Sequence, residues 1–402
     1  MKHRDYFDAQ RRQLMKLGLY GSTYGALASF LPGVSFAARE ESSEGKILVV
    51  LELSGGNDGL NTIIPYGDDA YYALRPRLGV KKDQLLQLDD MYGMNPGMVG
   101  LQKLYQEGRL AIIHGAGYPQ PSFSHFNSMA YWHTAAPNSG ESYGWVGRLA
   151  DVLVPKGTPN AIINVDATQS LAVRSRKHVP IVFDNPGSFS PKGSGAPVRG
   201  AEGPGRNASR AFLNDVARGA SSASQQVKSA WANYGGGLDY GLFDLDLPKI
   251  ASLIEARMPT RLYYTSFRDN AFDTHVNQPN LHRRLLTYFS DAVRAFMLDM
   301  DRIGRADDVV LLVFSEFGRR PGENSNLGSD HGTSNVMFAV GNPVKGGHHG
   351  VQPSLTNLDE TENLYHTVDF RQVLATVIDD WLGYASPSDV LGGDYSKIPL
   401  FG

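Results

Sequence analysis

The chain has 402 residues, 42% hydrophobic and 20% charged, which suits one large α/β domain or two smaller ones and excludes a disordered or fibrous chain. The formal net charge is −3, and residues 1–37 carry +3, so the remainder carries −6 and is poorly suited to holding nucleic acid or an anionic membrane. Cysteine is absent, which excludes disulfides, thiolate metal sites, cysteine nucleophiles and a lipid anchor on cysteine.

The first segment, Met1–Ala37, resembles a twin-arginine (Tat) signal peptide. Arg11-Arg12 precede a mildly apolar stretch, Leu17–Val34, broken by glycines and hydroxyl residues. Ser35-Phe36-Ala37 then offers small residues at the cleavage positions. The expected location is periplasmic or extracellular, with the Tat translocase as a partner during export. No later stretch approaches ~20 consecutive apolar residues, so no transmembrane segment is expected in the mature protein. Residues 38–402 read as a single domain.

Lys46–Leu53 is apolar and strand-like, and it runs into Ser54-Gly55-Gly56-Asn57-Asp58-Gly59, where glycines permit a tight bend and a close backbone approach. Asp58 thus stands at the carboxyl end of the first strand. The aromatic stretch Tyr66–Leu78 reads as a surface loop with a helical turn. Met98–Glu107 has helical spacing, and Leu110–His114 is a short buried strand. Ser122–Ser128 opens a helix with Met129, Tyr131 and Trp132, and Ser124 is placed to cap it. A serine there is also placed where free N–H groups and the helix dipole favour an anion. Short strands follow between Pro155 and Pro180, including Ala161–Val165. Residues 185–207 are rich in Gly, Pro and Ser and read as a flexible loop or lid. Ala208–Tyr234 and Leu247–Arg257 read as helices, Thr260–Phe267 as a buried strand, His282–Ile303 as a long helix and Thr367–Leu382 as the last one, stopped by Gly383. His3, His178 and His282 read as ordinary surface or partly buried histidines, and His348-His349 as part of a solvated Gly-rich loop.

Three strand ends carry ligand-type side chains. Val309–Phe314 lacks polar alternation, as expected of a central parallel strand buried on both faces. It ends in Ser315-Glu316-Phe317-Gly318-Arg319. Asp330-His331 precede a second apolar run, Val336–Val340. Asp273 and His275 follow the strand that ends at Phe267 and, two residues apart, would face one side of an extended segment. Oxygen and imidazole donors collected at one edge of an α/β sheet suit a divalent metal. Loop polarity alone would produce some of the same pattern.

In this order the strand ends resemble the alkaline phosphatase-like superfamily of phosphatases, sulfatases and phosphomutases. Within it, the chain looks like the bacterial family known as domain of unknown function 1501. The most specific stretches are Ser54–Asn61, Ser124-His125-Phe126, Phe272–His275, Ser315–Arg319 and Asp330-His331-Gly332. The resemblance implies a mostly parallel central sheet with helices on both faces. It implies Asp58, Asp273, His275, Glu316 and His331 as metal ligands, Ser124 as the nucleophile and Arg319 as the residue that neutralises the transferred group. Phe317 stands where the superfamily has a histidine ligand and Glu316 where it has aspartate. Asp330 is the candidate to supply the missing ligand.

The expected cofactor is Zn, Mn or Mg, as one or two ions. The expected function is metal-dependent hydrolysis of phosphate or sulfate esters through Ser124, on a small-molecule or glycan substrate. The alternative is a catalytically degenerate binding or assembly protein of the cell envelope on the same fold, using the Trp/Tyr-rich segment Tyr131–Trp145 as its surface.

Overall fold

A computed structural model describes residues 45–156, 158–190 and 221–402. The expected leader lies outside the described residues, as do residues 191–207 of the expected lid. Among the described residues nine strands form the central sheet: β1 Ile47–Leu53, β2 Leu110–Gly117, β3 Ile162–Val165, β4 Ile181–Phe183, β5 Leu262–Phe267, β6 Val309–Phe314, β7 Asn335–Val340, β8 Gly347–His349 and β9 Val368–Asp369. Their order is β8-β2-β7-β6-β1-β5-β3-β4, with β9 also on β2. β1 lies at the centre in parallel register with both neighbours, Val50 facing Leu312 on one side and Tyr264 on the other. β7 runs antiparallel to β6 and β2. The sheet is therefore mostly parallel, as the apolar, non-alternating strands predict.

Those strands lack alternation because both faces are covered. Val49, Leu51, Leu311 and Val313 pack against Leu101 and Leu104 of α1 (Val99–Gln106), Leu253 of α4 (Leu247–Glu255) and the long α5 (Gln278–Arg302). Residues 221–232 form a further helix on that face. Val50, Leu48, Val310 and Leu312 pack on the other face against α2 (His125–Thr134), α3 (Trp145–Leu153) and α6 (Phe370–Thr376). Each fully buried Val or Leu contributes about 1.5–3 kcal/mol, so β1 and β6 form a rigid floor whose carboxyl ends cannot easily shift.

Four local expectations need correction. The Tyr66–Leu78 stretch is not a surface loop: Tyr66, Tyr71, Arg75 and Leu78 are buried, and Tyr71 accepts from Val80 N–H while bonding Asn61. The last helix starts at Phe370, because Val368-Asp369 pair with Ala116-Gly117 of β2, and it ends in a π turn, Val377–Trp381. His282 is fully buried, its Nε2 2.9 Å from Asn57 Oδ1, and burial pushes its imidazole down to about 4. His348 lies on β8, its ring stacked on that of His114, rather than in a solvated loop.

Candidate metal centre

Four segments meet at the carboxyl edge of the sheet. The loop after β1 carries Gly55, Gly56 and Asp58. The turn after β5 carries Asp273 and His275. The excursion between β6 and β7 carries Glu316, Phe317, Arg319 and, across a small antiparallel ladder, His331 facing Arg319. Because β7 runs antiparallel, its start lies at this edge, so the residues just before it reach the ends of the parallel strands. The fourth segment follows β2 and supplies Phe123, Ser124 and His125 at the start of α2.

Ligand atoms of His125, Asp273 and His331 all lie within 4.8 Å of one another. His125 Nε2 is 3.4 Å from Asp273 Oδ2, and His331 Nε2 is 3.2 Å from Asp273 Oδ1. His275 Nε2 joins at 3.0 Å from the same Oδ1 and 2.9 Å from His331 Nε2. Two ligands about 2.1 Å from a tetrahedral ion stand about 3.4 Å apart, so these separations are those of a ligand cage.

The opposite ring nitrogens set the tautomers. His125 Nδ1 donates to buried Glu316 at 2.7 Å, His331 Nδ1 to the Phe123 carbonyl at 2.7 Å and His275 Nδ1 to Asp330 at 3.1 Å. In each neutral imidazole the Nε2 lone pair then points into the cluster. Carboxylate or carbonyl support of this kind orients ligating histidines and raises their basicity. His125 Nε2 is buried and without a hydrogen-bond partner, a cost a protein ordinarily avoids unless the atom serves an ion or a ligand. The residues fit a divalent cation.

The charges agree with that geometry. The Glu316 hydrogen bond raises His125 above its ordinary value, burial notwithstanding. Burial lowers His331. Burial opposes ionisation of Asp273, but Arg319 at 2.8 Å outweighs it and keeps the carboxyl below its usual range, so Asp273 offers the centre an anionic donor. Phe317 is buried with its ring 4.8 Å from that of His125 and 4.5 Å from that of His331, and it walls the cluster from below.

The other expected residues take definite places around this core. Asp58 is wholly buried and held by Arg75 at 2.7 Å, Gln278 at 2.5 Å and Ser329 at 3.2 Å. Glu316 accepts from Gly55 N–H with both oxygens and from His125, so it supports a ligand. Asp330 does the same for His275. Arg319 spends its guanidinium on Gly55, Gly56, Phe272 and Ser329 carbonyls and on Asp273, stapling three loops together. Ser124 is exposed at the N-terminus of α2, and its hydroxyl makes no capping bond. Its two neighbours both reach the cluster, Phe123 through its carbonyl and His125 through its ring. In the aromatic segment expected as a binding surface, Trp132 and Trp145 are buried, with Trp132 stacked between Phe314 and Phe370, while Tyr131 and Tyr143 are half-buried.

His125 lies in the stretch Ser124-His125-Phe126 that carries the family resemblance, but it is absent from the expected ligands. The available signal was a histidine in the first turn of a helix that follows a buried strand, at the same edge as the other ligands.

A family model described as a protein of unknown function, DUF1501, matches residues 257–391. Asp273, His275, Glu316, Arg319, Asp330 and His331 fall inside that match; Asp58, Ser124 and His125 fall outside it. No curated protein matches the chain. Among solved structures, it is similar to the lipoteichoic acid synthase LtaP from Listeria monocytogenes, at 9% identity and a TM-score of 0.38, covering 84% of this chain and 79% of that one. It is also similar to the C-terminal periplasmic domain of EcEptC from Escherichia coli, at 11% identity and a TM-score of 0.42, covering 89% and 90%. A third is the phosphonate monoester hydrolase SpPMH from Silicibacter pomeroyi, at 10% identity and a TM-score of 0.34, covering 87% and 77%.

Proposed function

We propose that the protein is an exported metal-dependent hydrolase of phosphate or sulfate esters, with His125, Asp273 and His331 holding a divalent cation, His275 beside them and Ser124 as nucleophile. The observation that carries this reading is the buried, unpartnered Nε2 of His125, held by Glu316 and aimed at Asp273 and His331. A divalent cation there supplies Lewis acidity to an ester oxygen and favours ionisation of a nearby hydroxyl. Ser124 presents a free hydroxyl between two residues that touch the cluster, at the N-terminus of a ten-residue helix whose N–H groups favour negative charge. The deprotonated oxygen bonds to phosphorus or sulfur as the bond to the ester oxygen breaks and the alcohol leaves with a proton; water then cleaves the seryl ester, freeing phosphate or sulfate and returning a proton to Ser124. Arg319 holds Asp273 ionised and in place. Export rests on the twin-arginine leader; among the described residues no helix is long and apolar enough to cross a membrane.

The test is purified full-length protein loaded with Zn²⁺, Mn²⁺ or Mg²⁺ and assayed on aryl phosphates and aryl sulfates. The expected result is turnover that Ser124→Ala lowers at least ~10³-fold without loss of bound metal. Turnover equal in the two proteins removes Ser124 from the chemistry. A second reading, an envelope binding protein on the same fold, is favoured by Arg319, whose guanidinium is spent on the chain itself. Metal bound without turnover on either ester would select it.

A further inference from the structure

We infer that the centre holds a single divalent cation, and that the buried guanidinium of Arg75 occupies, beside Asp58, the role a second cation would have. The inference rests on the metal-binding reading above and concerns the number of ions.

Three observations support it. The first is the use of donor atoms. Asp58 Oδ2 already accepts from Arg75 and Gln278, and Oδ1 accepts from Asn61 N–H at 3.3 Å. Glu316 Oε1 accepts from Gly55 N–H and His125, and Oε2 from the same Gly55 N–H at 3.1 Å. Neither carboxylate has an oxygen that is not already bonded.

The second is space. Phe317 is buried against both the His125 and the His331 rings, and a Cβ added at Gly56 would stand 2.1 Å from its Cε2. The ring therefore lies directly on the β1 loop, and Gly56 is what admits it. An aromatic ring at this point fills volume and offers no lone pair to an ion.

The third is charge. Asp58, Asp273 and Glu316 carry −3, and the buried guanidinium groups of Arg75 and Arg319 carry +2, which leaves −1 around the centre. Asp330 lies more in solvent. One dication brings the group to +1. A second would bring it to +3 next to two buried guanidinium ions, with no free donor to offset the desolvation. Arg75 is fixed where it is: Nε donates to Pro321 O at 2.8 Å, Nη2 to Arg320 O at 2.9 Å and Nη1 to Asn61 Oδ1 at 2.8 Å as well as to Asp58.

The full chain, stripped of metal and titrated with Mn²⁺, tests this by elemental analysis and electron paramagnetic resonance. The expected result is one ion per chain at saturation and an isolated-ion spectrum throughout. Glu316→Gln is expected to weaken Mn²⁺ binding about 10–100-fold while saturation stays at one ion, because Glu316 acts through His125. Two ions per chain, an exchange-coupled spectrum, or a fall from two ions to one in Glu316→Gln would overturn this inference and leave the metal-dependent reading standing. No bound ion would overturn both.

Discussion

At Gly56 the backbone runs at φ +68°, and any side chain would collide with the Phe317 ring. Gly56→Ala is expected to destabilise the fold by about 2–4 kcal/mol, from left-handed strain plus overpacking. Urea unfolding checks it, and a variant within about 0.5 kcal/mol of the parent would show that Phe317 moves freely. At this scale the sequence revealed which residues gather but not what each does there. Asp273, His275 and His331 were legible as candidate ligands because the first two follow a buried strand and the third precedes one. Asp58, Glu316 and Asp330 carry the same chemistry at the same edge, yet hydrogen bonds from residues distant along the chain occupy their oxygens. Whether a carboxylate binds an ion or orients a histidine depends on those partners, and Arg75, which decides it for Asp58, sat in a stretch that reads as surface. His125 was hidden for the converse reason: a lone histidine after a serine cap carries no pattern until β2 and α2 bring it to the edge.

The loop after β1, the turn after β5 and the start of α5 are joined through Asp58 and Arg319 as well as through the buried ring of Phe272. Removing Arg75 strands a buried carboxylate, so Arg75→Met is expected to cost about 3–5 kcal/mol. Burial opposes the charge on Asp58, but Arg75 and His282 prevail and hold its carboxyl down to about 2 against an ordinary 3.8. Its folded value lies below the unfolded one. Its contribution is therefore complete above about pH 4 and is lost as pH falls toward 2, a change of about 2 kcal/mol. Denaturant titrations across that window should show the loss in the parent and a flatter pH dependence in Asp58→Asn. Equal slopes would mean that Asp58 is not ionised in the fold. The strands themselves were readable, since β1 and β6 are apolar runs and β5 is rich in aromatic and β-branched residues. The π turn after α6 was not, because Val373, Val377 and Trp381 keep an apolar stripe through it, and nothing in that spacing distinguishes the two windings.

Taken whole, the molecule is a parallel-rich sheet that positions the centre without any single element containing it. His125, Asp273 and His331 come from three separate segments, so a bound ion cross-links the edge and stabilises the folded chain only. Chelation is expected to lower Tm by about 5 °C when the free ion had stood at ~100 times its Kd. Scanning calorimetry with and without chelator checks this, and an unchanged Tm would mean that the centre adds nothing to stability. The parallel sheet and the gathering of acidic and imidazole side chains at its edge could be anticipated because strand burial and strand-end chemistry are local properties of the sequence. The choice among ligand, support and staple could not, because it depends on long-range contacts. Anomalous scattering from crystals of the Zn²⁺-loaded chain tests the centre most directly. The predicted result is a single peak bounded by His125 Nε2, His331 Nε2 and the Asp273 carboxylate, absent in Asp273→Asn. A peak at Asp58 instead, or none at the sheet edge, would contradict it.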